Sequence, residues 1–164
     1  MLSNRLKNVV SQVNTGNLIA DIGTDHGYVP IYLIKNSIAK KAIAADISKG
    51  SCDKAKTNIS LYGLNDKIDV RCGNGLEIIK DSEIIDTIII SGMGGLLTID
   101  VLKSNEKAVK NANQLILQPQ RDIEKVRAYL HSINYKIPNF PAHISMTKVD
   151  YVVEVDQIGD PKKI

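Results

Sequence analysis

The sequence has 164 residues, of which 43% are hydrophobic and 24% charged, with a formal net charge of +3. This balance is typical of one soluble globular domain, and it excludes disordered and fibrous chains. No apolar run approaches the roughly 18 residues of a membrane-spanning helix, and the first residues lack the apolar core of a signal peptide. We therefore expect one domain over residues 1–164, no membrane association and a cytoplasmic location, which two cysteines without metal-ligand spacing also favour.

Short apolar runs alternate with longer amphipathic stretches along most of the chain. The continuous apolar run at 84–92 is typical of a parallel strand that is buried on both faces. The predicted strands are residues 17–23, 40–46, 67–73, 84–92, 113–119, 135–144 and 148–156. The predicted helices lie within 2–13, 28–37, 48–63, 95–105 and 121–134.

This alternation predicts a doubly wound, Rossmann-like α/β fold with a mainly parallel sheet. The last two predicted strands, 135–144 and 148–156, have no helix between them. Parallel neighbours need a long crossover, so we expect this pair to be antiparallel and to supply an antiparallel edge strand.

The first βα loop lies within "LIADIGTDHGYVP", residues 18–30, and it carries two acids and two glycines. Its glycines, Gly23 and Gly27, have the spacing G-x-x-x-G, and Asp25 stands where a dinucleotide motif has its middle glycine. Asp25 would repel a pyrophosphate, whereas S-adenosylmethionine has no phosphate and carries a sulfonium cation. The loop thus favours S-adenosylmethionine over NAD, with Asp21 ordering the loop or accepting from the ammonium group. A tight turn without a ligand is the alternative.

Two further strand ends suit an adenosine. Asp46 ends the second strand, where an acid typically accepts hydrogen bonds from ribose hydroxyls, although it could also be a solvated strand end. Asn74 follows the third strand and could read the adenine edge, or simply occupy a turn.

The fourth and fifth strands end in a candidate substrate pocket. Three glycines in "SGMGG", residues 91–95, would let a flat substrate lie against the backbone, and a flexible turn is the alternative. Gln118 and Pro119 end the fifth strand beside this loop. Tyr28, in the first βα loop, is the nearest ring that could stack on a base.

Together these pieces resemble one family. "DIGTDHGYVP", "AADIS", "GNGLE", "ISGMGG" and "LILQPQRDIEKVRAYL" are similar to the TrmK family of bacterial tRNA (adenine-N1)-methyltransferases. The resemblance runs from about Leu2 to Val155. It implies a class I methyltransferase fold and methyl transfer from S-adenosylmethionine to N1 of the adenine at position 22 of a tRNA. The family's G-D-G turn is Gly73-Asn74-Gly75 here, and its helical C-terminal extension is absent from the 164 residues.

The residue patterns and the resemblance together give the expected site. The expected cofactor-binding residues are Asp21, Gly23, Thr24, Gly27, Asp46, Ile47, Asn74, Gly75 and Gly92. The expected catalytic residues are Asp25, Met93 and Gly94, and the expected substrate-binding residues are Tyr28, Gly95, Gln118 and Pro119. No metal is expected, and no feature of the sequence indicates the oligomeric state, for which a monomer is the simplest expectation.

Adenine N1 has an in-plane lone pair and can attack the methyl group directly, so catalysis would be mainly positioning. Asp25 could stabilise the cationic product ring, and the target base must be unpaired or flipped out of its stack. The candidate phosphate contacts are Arg5, Lys7, Arg121, Lys125, Arg127 and Lys148. Since they form no concentrated patch, we expect weak tRNA binding with a shallow salt dependence. Two alternatives stay open: a methyltransferase for a small molecule or protein, and a non-catalytic adenosine-binding module.

Overall fold

The computed structural model describes residues 2–136 and 153–157 of the chain. The strands are β1 (Gly16–Ile22), β2 (Ala39–Asp46), β3 (Ile68–Cys72), β4 (Thr87–Ser91), β5 (Gln114–Gln118), β6 (Tyr135–Lys136) and β7 (Val153–Gln157). The helices are α1 (Asn4–Ser11), α2 (Tyr28–Lys35), α3 (Lys49–Leu61), α4 (Gly95–Lys103), α5 (Glu106–Asn111) and α6 (Ile123–Ser132), with a 3-10 helix over Gly75–Ile78. The remainder of the two last predicted strands, and Lys148, lie outside the described residues.

Five strands form a parallel sheet in the order β3-β2-β1-β4-β5. This order confirms the predicted Rossmann-like fold, because it reverses between β1 and β4 and so creates a switch point at the carboxyl end of β1.

The predicted antiparallel pairing of the last two strands is confirmed, but the prediction of an antiparallel edge strand is wrong. β7 is antiparallel to β5, but β7 lies between β5 and β6, so that β6 forms the edge. β6 is in turn antiparallel to β7 and therefore has the direction of the five parallel strands. Sequence order suggested a hairpin added at the edge, whereas the last strand inserts between its two predecessors.

Alternate residues of the strands pack on opposite faces of the sheet, as the two-residue period of a strand requires. In β4, Ile88 and Ile90 join the core under α4, α5 and α6, whereas Ile89 joins the core under α1, α2 and α3. All three isoleucines are fully buried, which explains the continuous apolar run.

Two helices show how far local sequence signals reach. Helix α3 begins at a typical capping residue, Ser48, whose hydroxyl accepts from the backbone N–H of Ser51 at 3.4 Å. Helix α5 was not predicted. Its six residues bury only Ala108 and Val109, and so short a segment cannot show the repeat of apolar residues that indicates a helix.

Gln114 joins three segments at the amino end of β5. Its side chain is buried, and its carbonyl accepts from the Thr87 hydroxyl at 3.0 Å and from the Asn14 N–H at 2.9 Å. Its amide donates to the carbonyl of Gln12 at 2.7 Å. Gln114 thus ties the α1–β1 connection to β4.

We expect Gln114→Leu to lower the free energy of unfolding by about 1–3 kcal/mol, the cost of leaving buried polar groups without partners. The matched control is Gln12→Leu, because the Gln12 side chain is exposed and its loss should cost under about 0.5 kcal/mol. Urea titration of both variants measures the difference, and equal stabilities would contradict the assigned role.

Candidate functional site

The predicted loops meet at the carboxyl ends of β1, β2 and β4. Asp21 is paired in register with Ala44 of β2 and Ile89 of β4. The N–H groups of Gly23 and Thr24 both donate to the carbonyl of Ala45 at 2.9 Å. The first βα loop therefore starts as a continuation of β1 along β2.

The first βα loop requires backbone conformations that favour glycine. Gly23 and Gly27 have φ of +79° and +76°, and Asp25 has φ of +52°. A Cβ on Gly27 would lie 3.3 Å from the Cβ of Ala55 in α3, so Gly27 also allows α2 and α3 to pack closely. Short polar residues such as Asp tolerate this region better than most non-glycine residues.

Asp21 is the buried acid of the site. Its pKa is raised to about 7, mainly by burial and also by the nearby Asp46 carboxylate, while Thr24 and Arg5 oppose the rise. The Thr24 hydroxyl is buried beside this carboxyl. A buried carboxyl and a buried hydroxyl thus adjoin at the start of the loop, where a polar ligand would find hydrogen-bonding groups.

Asp46 organises the loop from the end of β2. Its carboxylate accepts from the backbone N–H of Asp25 at 3.1 Å and from that of Ser48 at 3.0 Å. A carboxylate has about four acceptor positions, so it can still accept from hydroxyl groups of a ligand. Ile47 beside it is 73% exposed and presents an apolar surface next to the acid.

The turn after β3 contributes from the far side of β2. Asn74 is exposed and makes no capping hydrogen bond with its side chain at the start of the 3-10 helix. Gly75 has φ of +54°, and a Cβ there would lie 2.8 Å from the Ser104 hydroxyl. Asn74 therefore faces solvent, while Gly75 allows the turn to pack against α4.

The side chain of Asp25 is held on the β2 side of the loop. Its carboxylate pairs with Nδ1 of His26 at 2.8 Å and accepts from the Ser51 hydroxyl at 3.4 Å. The His26 ring stacks on Tyr28, with centroids 5.4 Å apart and planes 7° from parallel. These contacts direct Asp25 toward α3, and none of them brings it to the β4 loop.

The β4 loop, residues 91–95, lies against the first βα loop. The terminal methyl of Met93 is 2.6 Å from the position that a Cβ on Gly23 would occupy, so Met93 covers Gly23. Gly92 has φ of +82°. A Cβ on Gly94 would lie 3.1 Å from Nε of Arg121. The structure thus brings Gly23, Met93 and Gly94 to one edge of the sheet.

Gln118 and Pro119 are buried, in contrast to their expected contact with a substrate. The Gln118 side-chain carbonyl accepts from the Ser91 hydroxyl at 3.1 Å and the Gly92 N–H at 3.0 Å. It also accepts from a guanidinium N–H of Arg5 at 3.0 Å. Gln118 therefore holds the floor of the pocket. Its hydrogen bond from the charged Arg5 guanidinium should stabilise this arrangement more than a bond between two neutral groups would.

Arg5 is the site residue that the sequence reasoning assigned to another role. We expected it to contact phosphate, but its guanidinium donates to the Ser91 hydroxyl at 2.6 Å and lies 3.4 Å from the Cβ position of Gly92. The periodicity of α1 indicated only its apolar face and could not show which residue at its rim turns inward.

The first βα loop, α1 and the β4 loop border one cleft. Its lining includes Arg5, Asp21, Gly23, Thr24, Asp25, His26, Tyr28 and Ser91. A buried acid and a cation thus face the same space. Among residues 2–136 and 153–157, no group of three His, Cys, Asp or Glu side chains is arranged to hold a metal ion. In the same part of the chain, no helix is long and apolar enough to cross a membrane.

Fold and site define a methyltransferase domain, and the model of the family described as "Methyltransferase domain" matches residues 2–149. The chain is 40% identical over 136 residues to the tRNA (adenine(22)-N(1))-methyltransferase of Bacillus subtilis, covering 83% of this chain and 57% of that protein. The crystal structure of B. subtilis TrmK superposes with a TM-score of 0.85 at 36% identity, over 98% of this chain and 68% of that one. M. capricolum TrmK, in complex with S-adenosyl-homocysteine, has a TM-score of 0.85 at 34% identity, over 96% and 70%.

The chain therefore belongs to the TrmK family of class I methyltransferases, as the motifs predicted. It spans 57% of the length of the B. subtilis curated relative and 62% of a putative tRNA methyltransferase from Mycoplasma genitalium.

The two adjacent glycines of the β4 loop should differ in their tolerance of a methyl group. A Cβ on Gly95 would lie 2.5 Å from the backbone oxygen of Arg121, which cannot move without shifting the chain. We expect Gly95→Ala to lower the free energy of unfolding by about 1–3 kcal/mol, as overpacking generally does. In Gly94→Ala the new methyl meets only the flexible Arg121 side chain, so this variant should stay within about 0.5 kcal/mol of wild type. Urea denaturation compares the two, and equal losses would disprove the close packing at Gly95.

Proposed function

We propose that this chain transfers a methyl group from S-adenosylmethionine to N1 of an adenine in tRNA, at position 22 as in the B. subtilis relative. The observation that carries the proposal is the acidic glycine loop, in which buried Asp21 faces Arg5 beside the glycine-lined end of β4. A tRNA substrate also implies a cytoplasmic location.

The residues present fit S-adenosylmethionine, which when bound would supply a methyl group activated by its sulfonium charge. Asp21 and Arg5 are complementary to the ammonium and carboxylate of an amino acid. Asp46, with acceptor positions to spare, would hold the ribose, while exposed Ile47 and Asn74 would border the adenine. The complex of M. capricolum TrmK with S-adenosyl-homocysteine supports this assignment.

The β4 loop would position the target base. We infer that the base lies against Gly94, beneath Met93, with the Arg121 guanidinium near the phosphate of the same nucleotide. N1 carries its own lone pair, so these residues need only orient and desolvate it, a contribution that can reach about 7–11 kcal/mol. Asp25, which is turned toward Ser51 of α3, is not placed beside the base, so its expected role at the cationic product has no contact to carry it, whereas Gln118 and Pro119 would support the pocket from below.

Incubation with labelled S-adenosylmethionine and an unmodified tRNA transcript tests the proposal. We expect the label in 1-methyladenosine after digestion to nucleosides, and no label when the adenine at position 22 is replaced by guanine. Transfer only to proteins or small molecules of a cell extract would show another acceptor. Cofactor binding without any transfer would instead indicate a non-catalytic module.

The raised pKa of Asp21, about 7, makes cofactor affinity depend on pH. A bound cation favours the ionised carboxylate, so affinity should rise with pH up to about 7, by at most ten-fold per unit. Because the pKa of Asp21 in the folded protein lies above that of an aspartate exposed to water, the unliganded protein should lose stability as the pH rises toward 7. Asp21→Asn should flatten both trends. Calorimetry with S-adenosylmethionine at several pH values checks the affinity. A pH dependence equal in wild type and variant would exclude Asp21 as its cause.

A further inference from the structure

A second and larger cavity lies beside the cofactor cleft, between α1, α2 and the carboxyl end of α3. Its volume is about 490 Å³. We call it the tyrosine groove and define it by Tyr28, Tyr32, Tyr62, Lys7 and Lys35, which all line it. Of this set, Tyr28 is the residue that also borders the cofactor cleft, and the methylation chemistry proposed above uses none of the other four.

The composition of the tyrosine groove suits one class of ligand. Tyr32 and Tyr62 are 38% and 50% exposed, unusually open for large rings. Nζ of Lys35 lies 4.5 Å from the centre of the Tyr62 ring. No salt bridge found among the described residues involves Lys7 or Lys35. Partly exposed aromatic rings next to lysines that make no salt bridge are typical of surfaces that bind single-stranded nucleic acid, by stacking of bases and attraction of phosphates.

The tyrosine groove is continuous with the candidate active site. Tyr28 borders both cavities, and its ring is stacked on His26 of the cofactor loop. From Tyr28 the groove follows α2, whose eight residues extend roughly 12 Å, and it ends at Tyr62. A strand that presents one base at the β4 loop could therefore continue along α2 without leaving the surface.

We propose that the tyrosine groove binds the unpaired nucleotides that adjoin the target adenine, with bases on Tyr32 and Tyr62 and phosphates near Lys7 and Lys35. This inference rests on the proposed function. It adds a binding surface on the catalytic domain that holds the RNA strand open while one base is presented for methylation.

Filter binding of an unmodified tRNA transcript at several salt concentrations tests the proposal. Tyr62→Ala should raise the dissociation constant about five-fold or more, as loss of a stacking ring does, and Tyr62→Phe should bring it back to within about two-fold of wild type. Lys35→Ala should reduce the salt slope by about 0.7, the value for one phosphate contact on a single strand.

The matched control is Lys103→Ala. Lys103 also lies in the last turn of a helix over a tyrosine ring, 5.5 Å from the centre of Tyr129, but on the opposite side of the sheet. The Lys103→Ala variant should leave the salt slope of tRNA binding unchanged, and affinity for S-adenosylmethionine should stay the same in all four variants. Equal slopes in Lys35→Ala and Lys103→Ala, or unchanged affinity in Tyr62→Ala, would overturn the groove assignment while wild-type methylation still supports the proposed function. Failure of the wild type to bind tRNA would overturn both.

Discussion

Two glutamine–hydroxyl pairs between β4 and β5 set the geometry on which the site depends. The strands are in register at Thr87 with Gln114 and at Ser91 with Gln118, and each glutamine carbonyl accepts from the hydroxyl opposite it. The two pairs are four residues apart and therefore lie on the same face of the sheet. Each glutamine is buried, so the pairing also fixes polar groups that would be costly to leave unpaired.

The two pairs connect α1 to both ends of the sheet. At the amino end, Gln114 holds the segment that follows α1, through Gln12 and Asn14. At the carboxyl end, Gln118 holds the guanidinium of Arg5, which projects from α1 over the β4 loop. Helix α1 is thus fixed to the sheet at two points, and it forms one wall of the cofactor cleft. A site of this kind is preorganised, since its charged groups need not be collected when ligand binds.

The alternating pattern predicted β1 to β5 and the helices around them, because burial on both faces leaves a strong signal in the residue types. The site loops were also predictable, since the parallel strands bring Asp21, Asp46 and Gly92 to a single edge. The directions in which the side chains point could not be predicted from the sequence. Gln118 points down into the floor of the pocket and Asp25 turns toward Ser51, and both depend on partners about 26 residues away in the chain. The position of β7 depends likewise on which neighbours remain unpaired once the five parallel strands have formed.

Acids border the cofactor cleft and cations lie around its rim. This uneven distribution of charge suits S-adenosylmethionine in the cleft and a nucleic acid at the rim. The cofactor cleft is bordered by two acids, Asp21 and Asp25, and by the inward-facing cation Arg5, and a third acid, Asp46, is close enough to act on Asp21. This combination suits a ligand with two cationic centres and one carboxylate. The outer rim instead carries cations: Arg121 over Gly94, and Lys7 and Lys35 along the tyrosine groove. A polyanion is therefore attracted to the rim and repelled from the cleft, so phosphates stay outside while an uncharged base can enter.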